Sequence, residues 1–232
     1  MHRSPSDDNF VLKDPATLNT PTGILEPFQR PIQGLRDIGH HFWTRSWSLG
    51  TSSNYSVVVD RQPLRILVTA SGKDKGHLEP NDFVIVDEAG QRTPAEQPAS
   101  SAETLLHCSI AQHRGAGAIL HTHSVWATIL SEHFAQLGGI TIQGFEMLKG
   151  LDGIKSHETS MWLPIFQNTQ DIPKLRGQVE QMWQGNPDRP CWGYLIRRHG
   201  MYTWGRDLAE AARHVEVIEF LLECLGREIA LP

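Results

Sequence analysis

Ile119-Leu120-His121-Thr122-His123-Ser124 closes a short apolar run that follows the small-residue stretch Gly115-Ala116-Gly117-Ala118. An apolar run bounded by turn residues reads as a buried strand. Residues i and i+2 of a strand project to one face, so His121 and His123 aim their imidazoles the same way. Two convergent imidazoles are what a metal ion requires of its first two ligands. The pair alone reads equally well as two hydrogen-bonded core histidines. The rest of the chain decides between these.

Outward from this strand, Ala102 to about His113 has helical spacing, with Ser101 as its N-cap and Leu105, Leu106 and Ile110 on its buried face. Ser124 caps a helix expected over Val125–Phe134, which Gly138-Gly139 ends. Further upstream, Ile32, Leu35, Ile38, Phe42 and Trp43 predict a helix from Phe28 to about Trp47. Val57–Val59, Ile66–Thr69 and Phe83–Asp87 follow as strands, and Ile140–Ile142 resumes extended structure. A helix is expected at Ile172–Trp183. Trp192–Arg197 and Met201–Trp204 read as two strands meeting at Arg198-His199-Gly200. A strong helix, capped by Asp207, runs to about Leu225 on the stripe Ala211, Val215, Ile218, Leu221 and Leu222. Several strands follow one another without an intervening helix, which predicts a mixed sheet covered by helices on both faces. Residues 1–27, rich in Pro, Ser, Thr, Asp and Asn, read as a flexible N-terminal arm, and residues 28–232 as a single domain.

Composition narrows the function classes. The 232 residues suffice for one full hydrophobic core. A net charge of −5 with no basic stripe gives no reason to expect nucleic acid as a partner. No apolar run approaches the roughly 18–20 residues of a membrane span, and no secretory leader is visible. Three scattered cysteines, Cys108, Cys191 and Cys224, suit reduced thiols in a cytoplasmic protein and contain no CxxC for a structural zinc site.

Catalytic zinc sites take three protein ligands and leave a position open. His199, at a strand junction and followed by Gly200, is the best third candidate. The turns Thr51-Ser52-Ser53-Asn54 and Ser71-Gly72, with the helix start at Ser101, hold hydroxyls and backbone N–H groups of the kind that cradle an anion. Glu146, in Gly144-Phe145-Glu146-Met147-Leu148, sits in an apolar setting whose burial would raise its pKa and suit it to proton transfer. Glu103 stands in the first turn of its helix, where the dipole alone accounts for a negative charge.

The stretches Arg114–Ser124, Glu146-Met147-Leu148-Lys149-Gly150, Pro164–Thr169 and Arg197–Gly205 resemble the class II aldolase/adducin superfamily, from about Leu35 to Leu225. The Glu146 and Asn168-Thr169 segments are similar to its dehydratase branch, which acts on 5-methylthioribulose 1-phosphate in methionine salvage. The resemblance implies a three-layer α/β/α sandwich with a mixed, largely antiparallel central sheet. It implies one Zn2+ per subunit on His121, His123 and His199, with Glu146 as catalytic acid/base. Ser53, Asn54, Ser71, Gly72 and Ser101 fall where the superfamily holds substrate phosphate, Ser53 standing where a glycine is common. Glu103 falls at a position that is a metal-binding or catalytic glutamate in the aldolases and a substrate contact in the dehydratases, and both roles stay open. A homotetramer is implied. The rival implications are a zinc-dependent sugar-phosphate aldolase and, less favoured because all three ligands are present, a non-catalytic adducin-like interaction domain. Trp126, Phe145, Met161 and Trp162 are candidate walls for the methylthio group and read equally as core.

Overall fold

The computed structural model describes residues 22–231. Its centre is an eight-stranded sheet built from β1 (Asn54–Arg61), β2 (Leu64–Thr69), β3 (Phe83–Asp87), β4 (Ala118–Thr122), β5 (Gly139–Gln143), β6 (Ser160–Phe166), β7 (Gly193–Ile196) and β8 (Gly200–Gly205). The spatial order is β3-β2-β1-β4-β8-β7-β6-β5. Every neighbouring pair is antiparallel except β6 and β7. The sheet is therefore mixed and largely antiparallel, as expected.

Side chains alternate between two apolar layers. In β4, Ala118 and Leu120 enter the layer made with α1 (Gln29–Thr44), α3 (Val125–His133) and α5 (Leu208–Ala230), while Ile119 enters the layer made with α2 (Thr104–Arg114) and α4 (Ile172–Gly185). The same split separates Leu195 from Tyr194 in β7 and Met201 from Tyr202 in β8. A strand buried on both faces has no polar alternation, which is why β4 reads as a continuous apolar run. The α5 stripe Ala211, Val215, Ile218, Leu221 and Leu222 is fully buried.

The helix starts at Ser124 and Asp207 are capped as the sequence predicts. Ser124 Oγ accepts from Ala127 N at 3.0 Å, and an Asp207 carboxylate oxygen accepts from Glu210 N at 2.9 Å. The expected arm is corrected at its carboxyl end. Gly23–Phe28 is a 3-10 helix with Leu25 buried in the core, and Thr22 N donates to Asn81 Oδ1 at 3.0 Å. Residues 1–21 of that arm lie outside the described residues. Strand β6 was not among the expected elements, because Pro164 within it argues against a strand.

Candidate metal centre and anion cleft

His121 lies at the carboxyl end of β4, on the α2 side of the sheet. His199 lies in the turn joining β7 to β8, and the β4–β8 register, Thr122 opposite Met201, brings that turn beside the His-x-His segment. A side chain at Gly200 would strike the carbonyl of Thr122, so glycine is what lets this turn close on β4. One ring nitrogen from each of His121, His123 and His199 lies within 4.8 Å of the other two. The sequence-predicted ligand set is thus assembled by the fold.

The hydrogen bonds orient the set. His121 Nδ1 donates to the carbonyl of Met201 at 2.9 Å, so its Nε2 lone pair points toward His123 Nε2, 2.8 Å away. Burial, reinforced by the neighbouring imidazoles, holds the His121 pKa well below the ordinary value. Burial first, then His199 and Lys75, bring His123 down to about 4. Neutral imidazoles thus face one another with acceptor nitrogens. Glu103 adds two more acceptors, with Oε1 3.4 Å from His199 Nε2 and Oε2 3.7 Å from His121 Nε2. Acceptors converging in a buried space repel one another until a cation occupies their focus. The donor set fits a divalent metal ion.

Beside this centre lies a cleft of about 130 Å³ lined by Ser53, Asn54, Ser71, Gly72, Ser101 and Glu103, with His123 at its edge. All five residues expected at an anion site are therefore brought together. Ser53 has φ +71°, in the left-handed region that favours glycine. Its Oγ is buried with no hydrogen-bond partner among the described residues. Ser101 Oγ accepts from Glu103 N at 3.2 Å, but α2 begins at Thr104 with Glu103 as its N-cap, so Ser101 stands two residues ahead of the cap position expected for it. Asn54 is committed elsewhere than to an anion: its Nδ2 donates to Glu103 Oε2 at 3.0 Å.

Three buried polar groups escape sequence reading. Lys75 is buried, and its Nζ donates to the carbonyls of Thr51, at 3.4 Å, and Lys73, one from each turn of the cleft. Burial lowers its pKa to about 8. Glu219 of α5 is buried, accepts from Thr122 Oγ1 at 3.3 Å, and is raised to about 7 by desolvation. His107 of α2 is wholly buried behind Asn54 and Glu103. Its spacing of four from Glu103 was the one available signal, since residues i and i+4 share a helix face.

Glu146 requires correction. It is not buried: its side chain is 70 % exposed at the start of a 3-10 helix, Glu146–Gly150. Its carboxylate pairs with Lys149 and, at 3.3 Å, with His157 Nδ1. The bond to Lys149 lowers its pKa where burial was expected to raise it. It also lies far from its own chain's histidines. Strand β5, which delivers it, is four sheet positions from β4, roughly 19 Å at about 4.8 Å per strand. The register places Gly139 opposite Pro164 and Gln143 opposite Ser160, so β5 ends at the edge of the sheet opposite to where β4 ends. Met161 and Trp162 line a separate cavity of about 580 Å³ in this region, together with Arg189 and Trp192. Trp126 packs against Gly226 of α5 and is part of the core.

The sequence matches the family described as Class II Aldolase and Adducin N-terminal domain over residues 33–225. The chain belongs to this family. Among its relatives, methylthioribulose-1-phosphate dehydratase of Marinobacter nauticus is 43% identical over 83% of this chain and 90% of that protein. The protein of the same name from Xanthomonas campestris pv. campestris is 45% identical over 87% of this chain and 88% of that one. Solved structures share the fold. L-fuculose-1-phosphate aldolase from Thermus thermophilus superposes with a TM-score of 0.69 at 22% identity, covering 87% of this chain and 96% of that chain. A sugar-phosphate aldolase from Thermotoga maritima gives 0.64 at 17%, covering 88% and 97%. Among the described residues, no helix is long and apolar enough to cross a membrane.

Proposed function

We propose that this chain is a zinc-dependent methylthioribulose-1-phosphate dehydratase, removing water from 5-methylthioribulose 1-phosphate to give 5-methylthio-2,3-dioxopentyl phosphate in methionine salvage. The observation that carries this reading is the metal-ready trio His121, His123 and His199 opening onto the Ser53–Ser71–Ser101 cleft. Relatives at 43% and 45% identity bear the dehydratase name. Three imidazoles with an open position suit zinc. Bound there, zinc supplies Lewis acidity toward a carbonyl-bearing substrate.

The chain's own residues do the rest. The substrate phosphate enters the cleft, where turn N–H groups and hydroxyls donate hydrogen bonds to its oxygens. Lys75 ties the two turns together through the carbonyls of Thr51 and Lys73 and lends positive charge from below. Anchoring the phosphate fixes C3 and C4 of the sugar relative to the histidines and Glu103. Glu146 then moves the proton. With its pKa lowered it enters ionised, takes the C3 proton as base and delivers it to the C4 hydroxyl, which departs as water. The resulting enol ketonises to the diketone.

Because Glu146 leaves the sheet at the edge opposite to the histidines, this role assigns it to the metal centre of a neighbouring copy. The enzyme is accordingly a homotetramer with sites completed between subunits, residing in the cytoplasm where its three free cysteines stay reduced. The decisive experiment follows water loss from 5-methylthioribulose 1-phosphate, with and without a chelator. Chelator-sensitive formation of the diketone phosphate is expected. Release of a three-carbon ketose phosphate, or no turnover by zinc-loaded protein, sinks the reading.

A further inference from the structure

Glu103 is held in front of His121 and His199 by a chain of buried polar groups whose direction can be deduced. A carboxylate only accepts hydrogen bonds. The Asn54 amide, 3.0 Å from Glu103 Oε2, must therefore turn its NH2 group to Glu103 and its Oδ1 away. Oδ1 meets His107 Nε2. Two acceptors cannot share a hydrogen bond, so His107 Nε2 carries a proton. On the other side of the ring, Nδ1 lies 2.7 Å from Ser56 Oγ. His107 is fully buried, and desolvation brings its pKa down to about 3, so the ring is neutral and Nδ1 is a lone pair that accepts the Ser56 hydroxyl proton. Every donor in the series Ser56, His107, Asn54 points toward the Glu103 carboxylate.

The framework around this series is rigid. Asn54 and Ser56 sit on β1, and Asn54 stands opposite His121 in the β1–β4 register. His107 lies one helical turn beyond Glu103, at the start of α2. The ring of Tyr202 packs edge-on against His107 with centroids 5.6 Å apart, and stacks on His121 at 4.1 Å. The imidazole is thus fixed in place, and its tautomer is the remaining variable.

We propose that His107 is a positioning residue: its Nε2 proton locks the Asn54 amide, and through it the Glu103 carboxylate, in the orientation that faces the metal-ligating histidines. Without that proton the amide is free to rotate its oxygen onto Glu103, where two acceptors repel and the carboxylate turns away. Asn54, expected at the phosphate site, thereby becomes the link between His107 and Glu103. The catalytic consequence rests on the dehydratase reading, but the tautomer and the amide orientation do not.

The test has two arms. In metal-free protein labelled with 15N-histidine, two-bond 1H–15N correlation, with His107 identified by its loss in His107→Gln, is expected to show a neutral ring protonated at Nε2 between about pH 6 and pH 8. A ring protonated at Nδ1, or a doubly protonated ring, overturns the proposal whatever the reaction is. Ser56→Ala removes only a hydroxyl and is expected to leave the ring protonated at Nε2, because the Asn54 oxygen dictates that proton; a switch to a ring protonated at Nδ1 in this variant would contradict the series.

In the zinc-loaded enzyme, His107→Leu is expected to lower kcat about 10- to 100-fold with little change in KM or zinc content. His107→Gln, which keeps a donor for Asn54, is expected to recover most of that loss. Equal loss in both folded variants would mean that the ring only fills space. Full activity in His107→Leu would remove the role. Should His107→Leu fail to fold, Ser56→Ala and the tautomer measurement still decide. Absence of dehydratase turnover in the unsubstituted protein would overturn the functional reading and leave the tautomer result standing.

Discussion

The two ends of the sheet hold their chemistry in opposite ways. Where β4 ends, His121 has no exposed side-chain surface, its Nδ1 is satisfied by a backbone carbonyl, and Glu103 is fixed through Asn54. Where β5 ends, Glu146 is 70 % exposed and, among the described residues, is paired with exposed neighbours, Lys149 and His157. A buried polar group must find its partners within the chain or in an ion, since an unmet one costs about 1–3 kcal/mol. An exposed carboxylate has no such obligation and remains available to another molecule. One chain therefore completes the metal half of the proposed site and leaves the proton-transfer half on its surface.

Breaking the buried end should have the largest effect. His199→Ala should reduce metal affinity by more than about 100-fold, beyond what loss of an outer partner costs. Metal analysis alongside circular dichroism checks this, and stoichiometric zinc in the folded variant would remove His199 from the ligand set.

Next in size, Glu146→Gln should lower turnover about 10²- to 10⁴-fold. It should leave the denaturant midpoint unchanged, because the side chain is exposed, and leave zinc content intact. The contrast between the two ends sharpens when this variant is mixed with His123→Ala. With each inactive alone, the proposed oligomer co-assembled from the two should regain up to roughly a quarter of the sites, in which an intact histidine trio meets an intact Glu146 from the adjacent copy. No recovery in verified mixed oligomers would end the assignment of Glu146 to a neighbouring site.

Gly200→Ala should cost about 1–3 kcal/mol by overpacking, since the added methyl meets the Thr122 carbonyl, and should loosen metal binding as the turn carrying His199 shifts. Denaturant midpoints and chelator competition report the two effects separately.

The most pH-selective effect concerns Glu219. Its folded pKa, about 7, lies above its ordinary value of 4.5. As pH rises from about 4.5 to 7 the unfolded chain ionises while the folded carboxyl stays protonated, so stability falls across that window and levels off above it. Glu219→Gln removes this penalty. The variant should gain up to about 3 kcal/mol over the parent at pH 8 and little at pH 4.5. Equal gains at both values would separate its effect from ionisation.

Much of the fold was legible because it rests on local rules. The β4 run, the caps at Ser124 and Asp207 and the α5 stripe all depend on residues near one another in sequence. Strand β6 was missed because Pro164 weighs against a strand locally, while pairing on both sides, with β5 and β7, retains it. Glu146 was misjudged for a related reason. Phe145, Met147 and Leu148 make its surroundings look apolar, but only Leu148 is buried, and the carboxylate turns outward. Lys75, Glu219 and His107 gave little warning, since a charged or polar residue declares its burial only when other elements close over it.

What the sequence by itself determined is the identity and local spacing of the reactive groups: a His-x-His pair sharing one strand face, a His-Gly turn, and serine-rich turns suited to an anion. These follow from the two-residue period of a strand and the conformational preferences of glycine and serine. Only the tertiary structure decided which groups meet. Strand order and register bring residue 199 to residues 121 and 123, place Asn54 between His107 and Glu103, and send Glu146 to the far edge of the sheet, because pairing over long sequence distances is settled by how two apolar layers close around one sheet and not by any short stretch of chain.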